Sequence, residues 1–219
     1  MNLAGFSPLL EEAIELSAQW HDGTYRKNRW RDTPFDPPIE VVLRIPVMAH
    51  VTAVAMTVQR AGWEDTVVAA AFLHDVLEDP NRYGSRLRTE RLSQLMGEEV
   101  TALVEAVSEP RADDDGRHLS WQERKDAYLA RLAAAPDGAV AISFADKVHN
   151  LWTMNRSLKA GVNIFENGPG RKGLSAGPER QQWFFSSVFK LADARTDERL
   201  SHLRHDLSTE LQRFERLAQ

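Results

Sequence analysis

The sequence contains 219 residues, 42% of them hydrophobic, and carries a formal net charge of −5. This length can bury a sizeable core within one domain, and the negative charge excludes a global positive field that would attract nucleic acid or an anionic membrane. The chain has no cysteine, which excludes disulfides and thiolate zinc sites. Residues 1–16 carry three glutamates and no basic residue, so we expect no signal peptide there and a cytoplasmic protein without nucleic-acid or membrane partners.

The spacing of apolar residues predicts an all-α fold of about 8–10 helices and no strand. A serine N-cap followed by proline begins the first helix at Ser7-Pro8, and the second helix begins near Pro46. Further helices are predicted from residue 64 to about residue 79, over 87–96 and 98–107, from residue 120 onward, and over 139–154, 183–189 and 197–217. We expect a single domain over residues 1–219, with its core at about 7–192 and a C-terminal helix at about 197–217.

The stretch at residues 72–80 concentrates chemistry at the end of an apolar helix, where it places His74, Asp75, Glu78 and Asp79. On a helix, residues four apart share a face, which puts His74 beside Glu78 and Asp75 beside Asp79. Buried carboxylates usually signal a metal site or a proton-transfer role, because unpaired charge is costly to bury. The alternative is an exposed acidic helix end with a lone histidine.

A basic segment with two aromatic residues follows the first helix, at residues 22–31. Its four cations, among them Arg26 and Lys27, indicate an anion site, because arginine provides forked donors and lysine a point charge for phosphate. The alternative is a solvated loop. Residues 33–38 hold three prolines and are predicted to be irregular. A glycine-rich loop at residues 163–178 is long enough to indicate a lid or a binding role.

Two other helices contribute polar side chains. His50 lies among the apolar residues of the second helix, where a lone histidine is more often a core residue than a ligand. Asp146 and Asn150 are four apart and share one face of a late helix. Together with His74-Asp75, His50 and Asp146 form a mixed imidazole–carboxylate set. Such a set suits manganese, iron or another divalent ion and lacks the soft ligands that select copper.

This order of residues, with a Glu-Asp pair three residues after a His-Asp pair, resembles the HD-domain metal phosphohydrolases. The likeness is to the hydrolase domain of RelA/SpoT-type enzymes and to the single-domain small alarmone hydrolases, and it covers roughly residues 13–190. The resemblance implies an HD-domain helical bundle. It also implies a metal-dependent enzyme that removes the 3′-pyrophosphate from guanosine 3′,5′-bis(diphosphate), ppGpp, with a bound manganese ion.

The resemblance assigns roles to individual residues. The implied metal ligands are His50, His74, Asp75 and Asp146, and the residues implied to handle the attacking water are Glu78 and Asp79. The implied substrate contacts are His21, Arg26 and Lys27 of a His-x4-Arg-Lys motif, Asn150, and three looser matches, Lys125, Thr153 and Trp183. Trp183 is implied to lie near the nucleoside, whereas an aromatic residue in an apolar helix more commonly fills the core.

Two segments depart from the family's pattern. Extra residues, Trp30 to Arg44 within the span 28–45, separate the basic pair from His50, and a glycine-rich loop runs from Gly161 to Gly177. Relatives with similar ligands act on NADPH or nucleoside monophosphates, so the substrate stays open. The sequence also leaves the metal and the oligomeric state open. A non-catalytic nucleotide sensor is another alternative. The Glu-Asp pair disfavours it, because binding alone does not need a water-activating dyad.

Overall fold

A computed structural model describes residues 5–30, 44–113, 115–167 and 172–218. Within these ranges the chain forms nine α-helices, a two-stranded antiparallel sheet and one 3₁₀ turn. The helices are α1 (Pro8–Trp20), α2 (Val47–Arg60), α3 (Asp65–Leu73), α4 (Thr89–Met96), α5 (Glu98–Val107), α6 (Trp121–Ala134), α7 (Asp137–Lys159), α8 (Pro178–Lys190) and α9 (Leu200–Leu217). The strands are β1 (Tyr25–Trp30) and β2 (Arg44–Pro46), and the 3₁₀ turn spans Leu191–Ala194. The predicted all-α class is confirmed.

The centre of the bundle is α3, which is buried from Val67 to Leu73. A helix without a polar face has to be covered on every side, and α1, α2, α5 and α7 pack against it. The last helix, α9, lies along α7 and also contacts α8. One buried apolar cluster joins residues from α1 to α9. None of the described helices combines the length and the apolar character that crossing a membrane requires.

Local capping follows the sequence predictions. The Ser7 hydroxyl caps α1, and Ser120 forms the predicted capping box with Glu123 at the start of α6. In this box the Glu123 N–H donates to Ser120 Oγ at 3.3 Å, and the Ser120 N–H donates to Glu123 Oε2 at 2.7 Å. Gly97, with φ +83°, separates α4 from α5 at the predicted break.

The prediction that the third helix continues to residue 79 is wrong, because α3 ends at Leu73. At this end the Ala71 carbonyl accepts a hydrogen bond from His74 Nδ1 at 2.8 Å, so a side chain competes with the backbone ladder. The chain then forms tight turns, in one of which the Asp79 N–H donates to the Asp75 carbonyl at 3.0 Å. Turns closed by both three-residue and four-residue backbone bonds, and not a continuous α-helix, therefore place the polar side chains of this segment.

The prediction of no strand is also wrong for the basic segment after α1. β1 pairs antiparallel with β2, with Tyr25 opposite Pro46 and Trp30 opposite Arg44. β2 has only three residues, too few to show an alternating pattern of apolar and polar residues. Residues 31–43, which hold the proline-rich stretch and most of the extra residues, lie outside the described part of the chain.

The glycine-rich segment between α7 and α8 folds back on itself where it is described. The Leu174 N–H donates to the Ile164 carbonyl at 2.9 Å. A Cβ atom at Gly173 would lie 2.5 Å from the Phe165 carbonyl oxygen, so this close approach requires glycine. Residues 168–171 lie outside the described ranges.

Candidate metal centre and substrate cavity

Four residues predicted as metal ligands meet where three parts of the chain converge. α2 supplies His50, the turn after α3 supplies His74 and Asp75, and α7 supplies Asp146. His50, His74 and Asp146 are buried, and one ligating atom of each lies within 4.8 Å of the other two. Asp75 Oδ1 lies 3.3 Å from His74 Nε2, and Asp146 Oδ1 lies 3.1 Å from His50 Nε2. We call these four residues the floor.

Hydrogen bonds direct the Nε2 atoms of both floor histidines towards the carboxylates. His74 Nδ1 lies 2.8 Å from the Ala71 carbonyl, which can only accept, so Nδ1 carries the hydrogen. His50 Nδ1 lies 2.8 Å from His149 Nδ1. His74 Nε2 is buried and has no hydrogen-bond partner among the described residues. An unpartnered imidazole nitrogen beside two carboxylates fits a divalent cation, which takes N and O ligands of this kind.

The electrostatics of the floor keep its carboxylates charged. Burial raises the pKa of Asp146, but Lys147, whose Nζ lies 2.6 Å from Oδ2, brings it well below the usual value. Burial likewise raises the pKa of Asp75, and His74 and then His50 lower it overall. Burial lowers the pKa of His50 to about 4. His50 is therefore neutral and both carboxylates are ionised at neutral pH, which are the protonation states that a metal ligand needs.

The pKa of His74 is shifted in the opposite direction from that of His50. Burial acts to lower the pKa of His74, but the carboxylates of Asp75 and Asp146 raise it above its ordinary value. A cation entering the floor competes with protons for this ring, so the affinity for the cation should fall as the pH is lowered.

The two acidic residues after the floor occupy different environments. The Glu78 carboxylate accepts a hydrogen bond from the Glu109 N–H at 2.8 Å. Burial and the nearby Asp75 raise the pKa of Glu78 to about 7. Asp79 instead pairs with Arg111 at 3.1 Å, and each of these two side chains is 44% exposed. A half-buried carboxyl with a pKa near neutral pH is suited to proton transfer, and of these two residues Glu78 has this property.

Asn150 connects a basic residue to the floor. Its Nδ2 donates to Asp146 Oδ1 at 2.6 Å, and its Oδ1 accepts from Arg26 Nη2 at 2.6 Å. Arg26 comes from β1, so the strand that the sequence did not predict places this guanidinium against α7. The Thr153 hydroxyl donates to the Asn150 carbonyl at 2.8 Å. The amide therefore orients an arginine and a carboxylate at the same time.

Glu109 joins Glu78 to two further cations. Its carboxylate pairs with Arg124 at 2.6 Å and with the Lys125 ammonium. The Lys125 ammonium also lies 4.3 Å from the centroid of the Phe184 ring. Burial lowers the pKa of Lys125, and Glu109 opposes this shift. We call Glu109, Arg124 and Lys125 the cationic wall, because two positive charges face a single carboxylate there.

The floor and the cationic wall open into one cavity of about 410 Å³. The predicted site residues that line it are Arg26, His50, His74, Asp75, Glu78, Asp79, Lys125, Asp146, Asn150 and Thr153. Residues on both sides of the glycine-rich segment, Ile164 and Leu174, line it as well. The lid or binding role of this loop stays a prediction.

Three predicted substrate contacts are not among the residues that line the described cavity. His21 is buried at the C-terminal end of α1, where its carbonyl accepts from the Thr24 hydroxyl at 2.7 Å. Trp183 is 38% exposed and packs with a ring-centroid distance of 6.1 Å against Trp121, which does line the cavity. The side chain of Lys27 lies outside the described part of the structure.

Several residues of the site carried no functional prediction. His149 lies three residues after Asp146, so helical spacing could have found it. Lys147 directly follows Asp146, a spacing that carries no such signal. Glu109 gave no such signal, because it lies in a loop 31 residues from Glu78 and contacts it through a backbone N–H. Its role depends on tertiary structure.

A family model and several known proteins are similar to this chain in sequence. A family model described as HD domain matches residues 43–165, more than half of the chain. A probable guanosine-3′,5′-bis(diphosphate) 3′-pyrophosphohydrolase of Synechocystis sp. is 29% identical over 110 residues, 50% of this chain and 14% of that protein. The guanosine-3′,5′-bis(diphosphate) 3′-pyrophosphohydrolase MESH1 of Drosophila melanogaster is 29% identical over 140 residues, 64% of this chain and 66% of that protein.

A solved structure is also similar over nearly the whole chain. It is described as a metazoan ortholog of SpoT that hydrolyzes ppGpp, and it matches with a TM-score of 0.59 and 25% identity over 96% of both chains. The chain spans less than two thirds of the length of the two curated relatives above, 14% of one and 66% of the other.

Proposed function

The chain belongs to the HD domain family, and on that basis we propose that it is a metal-dependent phosphohydrolase that removes the 3′-pyrophosphate of ppGpp. The observation that carries the proposal is the floor itself: the buried His50, His74 and Asp146, with the partly exposed Asp75 at 3.3 Å from His74, beside a carboxyl with a pKa near 7. We further propose that residues 1–219 act as one HD-type domain, since a single apolar cluster joins α1 to α9.

The four floor residues would hold the divalent ion, for which we propose Mn²⁺ because the donors are nitrogen and oxygen without sulfur. When bound, such an ion lowers the pKa of water and polarises a phosphoryl oxygen. Lys147 engages Asp146 through Oδ2, and Oδ1, which accepts from Asn150 Nδ2 at 2.6 Å, lies 3.1 Å from His50 Nε2. This arrangement fixes the carboxylate before any ion arrives, which reduces the entropy lost on binding.

Glu78 accepts the proton of the attacking water in the proposed reaction. A base with a pKa near the working pH is largely unprotonated and still takes a proton readily. The Glu109 N–H, at 2.8 Å, holds one of its carboxylate oxygens and leaves the other for this task. Asp79 has a supporting role in the proposal, because its carboxylate is engaged by Arg111 at a half-exposed position.

The substrate proposal rests on the distribution of positive charge around the cavity. ppGpp carries two diphosphate groups, and cations face the cavity from two directions, Arg26 from β1 and the cationic wall from α6. Charge-assisted hydrogen bonds from these groups would offset the negative charge that repels an attacking nucleophile. The names of the relatives support the same substrate.

The remaining predicted contacts take indirect roles in the proposal. His21 stabilises the turn that leads to Arg26, through its carbonyl bond to the Thr24 hydroxyl. The Trp183 ring packs against the ring of Trp121, which lines the cavity. Both roles are secondary to those of the side chains that line the cavity directly.

The test is a comparison of substrates with the purified chain. Release of pyrophosphate would be measured with Mn²⁺ for ppGpp and pppGpp, beside release of orthophosphate from NADPH and nucleoside monophosphates. Pyrophosphate release from the guanosine bis(diphosphates) alone is the expected result. Orthophosphate release from another nucleotide would replace the substrate and keep the metal chemistry. Mn²⁺ binding without turnover on any of them would favour a nucleotide sensor.

A further inference from the structure

His149 is a half-buried residue of α7 with no part in the reaction proposed above. Its Nδ1 lies 2.8 Å from His50 Nδ1, and the two ring centroids are 4.7 Å apart at an interplanar angle of 51°. We propose that His149 is a positioning residue that accepts the Nδ1–H of His50 and thereby directs His50 Nε2 into the metal centre. This inference rests on the proposed function, because it presumes that the floor holds a cation.

The number of hydrogens between the two rings decides which ring donates and which accepts. Only one hydrogen can lie between two nitrogens 2.8 Å apart, so one ring donates and the other accepts. If His149 donated, the hydrogen of neutral His50 would sit on Nε2, the atom that faces Asp146 Oδ1 at 3.1 Å. A cation cannot bind a nitrogen that carries a hydrogen. Metal ligation by His50 therefore requires that His149 accept.

The two floor histidines are oriented by partners of different kinds. His74 Nδ1 bonds to the carbonyl of Ala71, an acceptor that belongs to the backbone and has one fixed role. His50 bonds to an imidazole, which can donate or accept according to its tautomer. His149 can thus keep its hydrogen bond to His50 when the hydrogen of His50 moves from Nε2 to Nδ1 on cation binding. A ligand imidazole usually needs such an outer partner, and losing one typically costs 10–100-fold in metal affinity.

Two substitutions separate this hydrogen bond from simple packing. His149→Phe keeps an aromatic ring beside His50 and Trp152 but offers no acceptor. His149→Asn loses the ring and places an amide oxygen close to the position of the imidazole Nδ1. His202→Ala, on the exposed side of α9, is the matched control for removing a histidine.

Mn²⁺ affinity of the full chain would be measured by isothermal titration calorimetry, with a thermal melt of each metal-free variant. We expect His149→Phe to weaken Mn²⁺ binding by roughly 10- to 100-fold, and His149→Asn to stay within about tenfold of wild type. His202→Ala should bind as wild type does. ¹⁵N spectra with Zn²⁺ as a diamagnetic substitute should show the His50 hydrogen on Nδ1 in the wild-type chain.

The outcomes distinguish this inference from the proposed function. Wild-type Mn²⁺ affinity in His149→Phe, or an Asn variant that melts normally and binds as weakly as the Phe variant, would overturn the positioning role alone. A His50 hydrogen found on Nε2 in the Zn²⁺-loaded chain would overturn it as well. A wild-type chain that binds no Mn²⁺ would overturn the proposed function and this inference with it.

Discussion

Charged groups occur both at the floor of the cavity and at its rim, where Asp79 meets Arg111, but the protein holds them differently. His50, His74 and Asp146 are 1–8% exposed and come from α2, the end of α3 and α7, and both α2 and α7 pack against α3. Asp79 and Arg111 are each 44% exposed. Water screens the pair at the rim, and the low dielectric at the floor makes each unpaired charge costly. Charged groups separated by similar distances therefore contribute different free energies at the floor and at the rim. The effects of substitution should decrease from the floor to the cationic wall and then to the rim.

The largest effect is expected from breaking the floor. Asp75→Ala removes a carboxylate that lies 3.3 Å from His74 Nε2 and 3.7 Å from His50 Nε2. We expect Mn²⁺ affinity to fall by more than the roughly 100-fold upper value for losing an outer-shell partner, with loss of turnover. Metal content and pyrophosphate release measure both, and Asp206→Ala on α9 is the exposed control. Full metal occupancy in Asp75→Ala would remove this residue from the ligand set.

The second effect separates the base from the ligands. Glu78→Gln keeps an oxygen that can accept from the Glu109 N–H and removes the group that takes the proton. We expect turnover to fall by roughly 10²- to 10⁴-fold, the usual contribution of a general base, while Mn²⁺ affinity stays near that of wild type. The measurement is kcat at saturating Mn²⁺, with Asp79→Asn compared alongside. Normal turnover in a metal-replete Glu78→Gln chain would contradict the assigned role.

The same residue should make stability depend on pH. Its pKa is raised from 4.5 to about 7, so the folded state retains a proton that the unfolded state releases. Stability should therefore fall as the pH rises through this window and remain lower above it. We expect Glu78→Gln to stabilise the metal-free chain by on the order of 3 kcal/mol at pH 8, and by less than about 1 kcal/mol at pH 5. Urea unfolding at the two pH values checks the sign, and an equal gain at both would contradict it.

Wild-type turnover should show the corresponding titration. An unprotonated base is required, so kcat/KM, which reports the free enzyme, should fall as the pH is lowered through about 7. A variant that gains stability while it loses turnover is the pattern expected where burial serves function at the expense of folding. Such a result would indicate that the positions of the floor residues and of Glu78 serve the reaction and not the stability of the fold.

Sequence reasoning succeeded where residue type and local spacing decide the outcome. Ser7 and Ser120 cap their helices as predicted, because capping depends on a few adjacent residues. The floor residues come together because each lies on or next to a helix that packs in the core. The order of His50, His74-Asp75 and Asp146 along the chain already indicated this grouping.

Sequence reasoning failed where distant residues decide the outcome. Helical spacing continued α3 to residue 79, but two hydrogen bonds to carbonyls in its last turn come from side chains: the Ser17 hydroxyl, 55 positions away, donates to Phe72, and His74 Nδ1 donates to Ala71. The β1–β2 pair was missed because three residues of β2 carry too little pattern. Glu109 was missed because it acts on Glu78 through its backbone, which no residue type reveals.

A smaller effect is expected at the cationic wall. Lys125→Met retains an apolar stem beside Phe184 and removes the ammonium, while Arg124 continues to pair with Glu109. We expect kcat/KM for ppGpp to fall roughly tenfold, which corresponds to about 1.4 kcal/mol of lost transition-state binding, with Mn²⁺ affinity unchanged. Steady-state kinetics measure this, and Lys190→Met at the exposed end of α8 controls for the loss of a positive charge. A loss of Mn²⁺ affinity would show that wall and floor are one coupled unit.

The smallest effect is expected at the rim. Arg111→Ala breaks an ion pair 3.1 Å long whose partners are both 44% exposed, so it should cost less than about 1 kcal/mol of unfolding free energy. Salt should reduce that cost further, since the Debye length shrinks to about 3 Å at 1 M ionic strength. Urea unfolding at low and high salt, in a cycle with Asp79→Asn, isolates the pair. A coupling above about 2 kcal/mol, or a loss of turnover close to that of Glu78→Gln, would mean that the rim is not screened. Asp79 would then share the work of the base, and the contrast between floor and rim would fail.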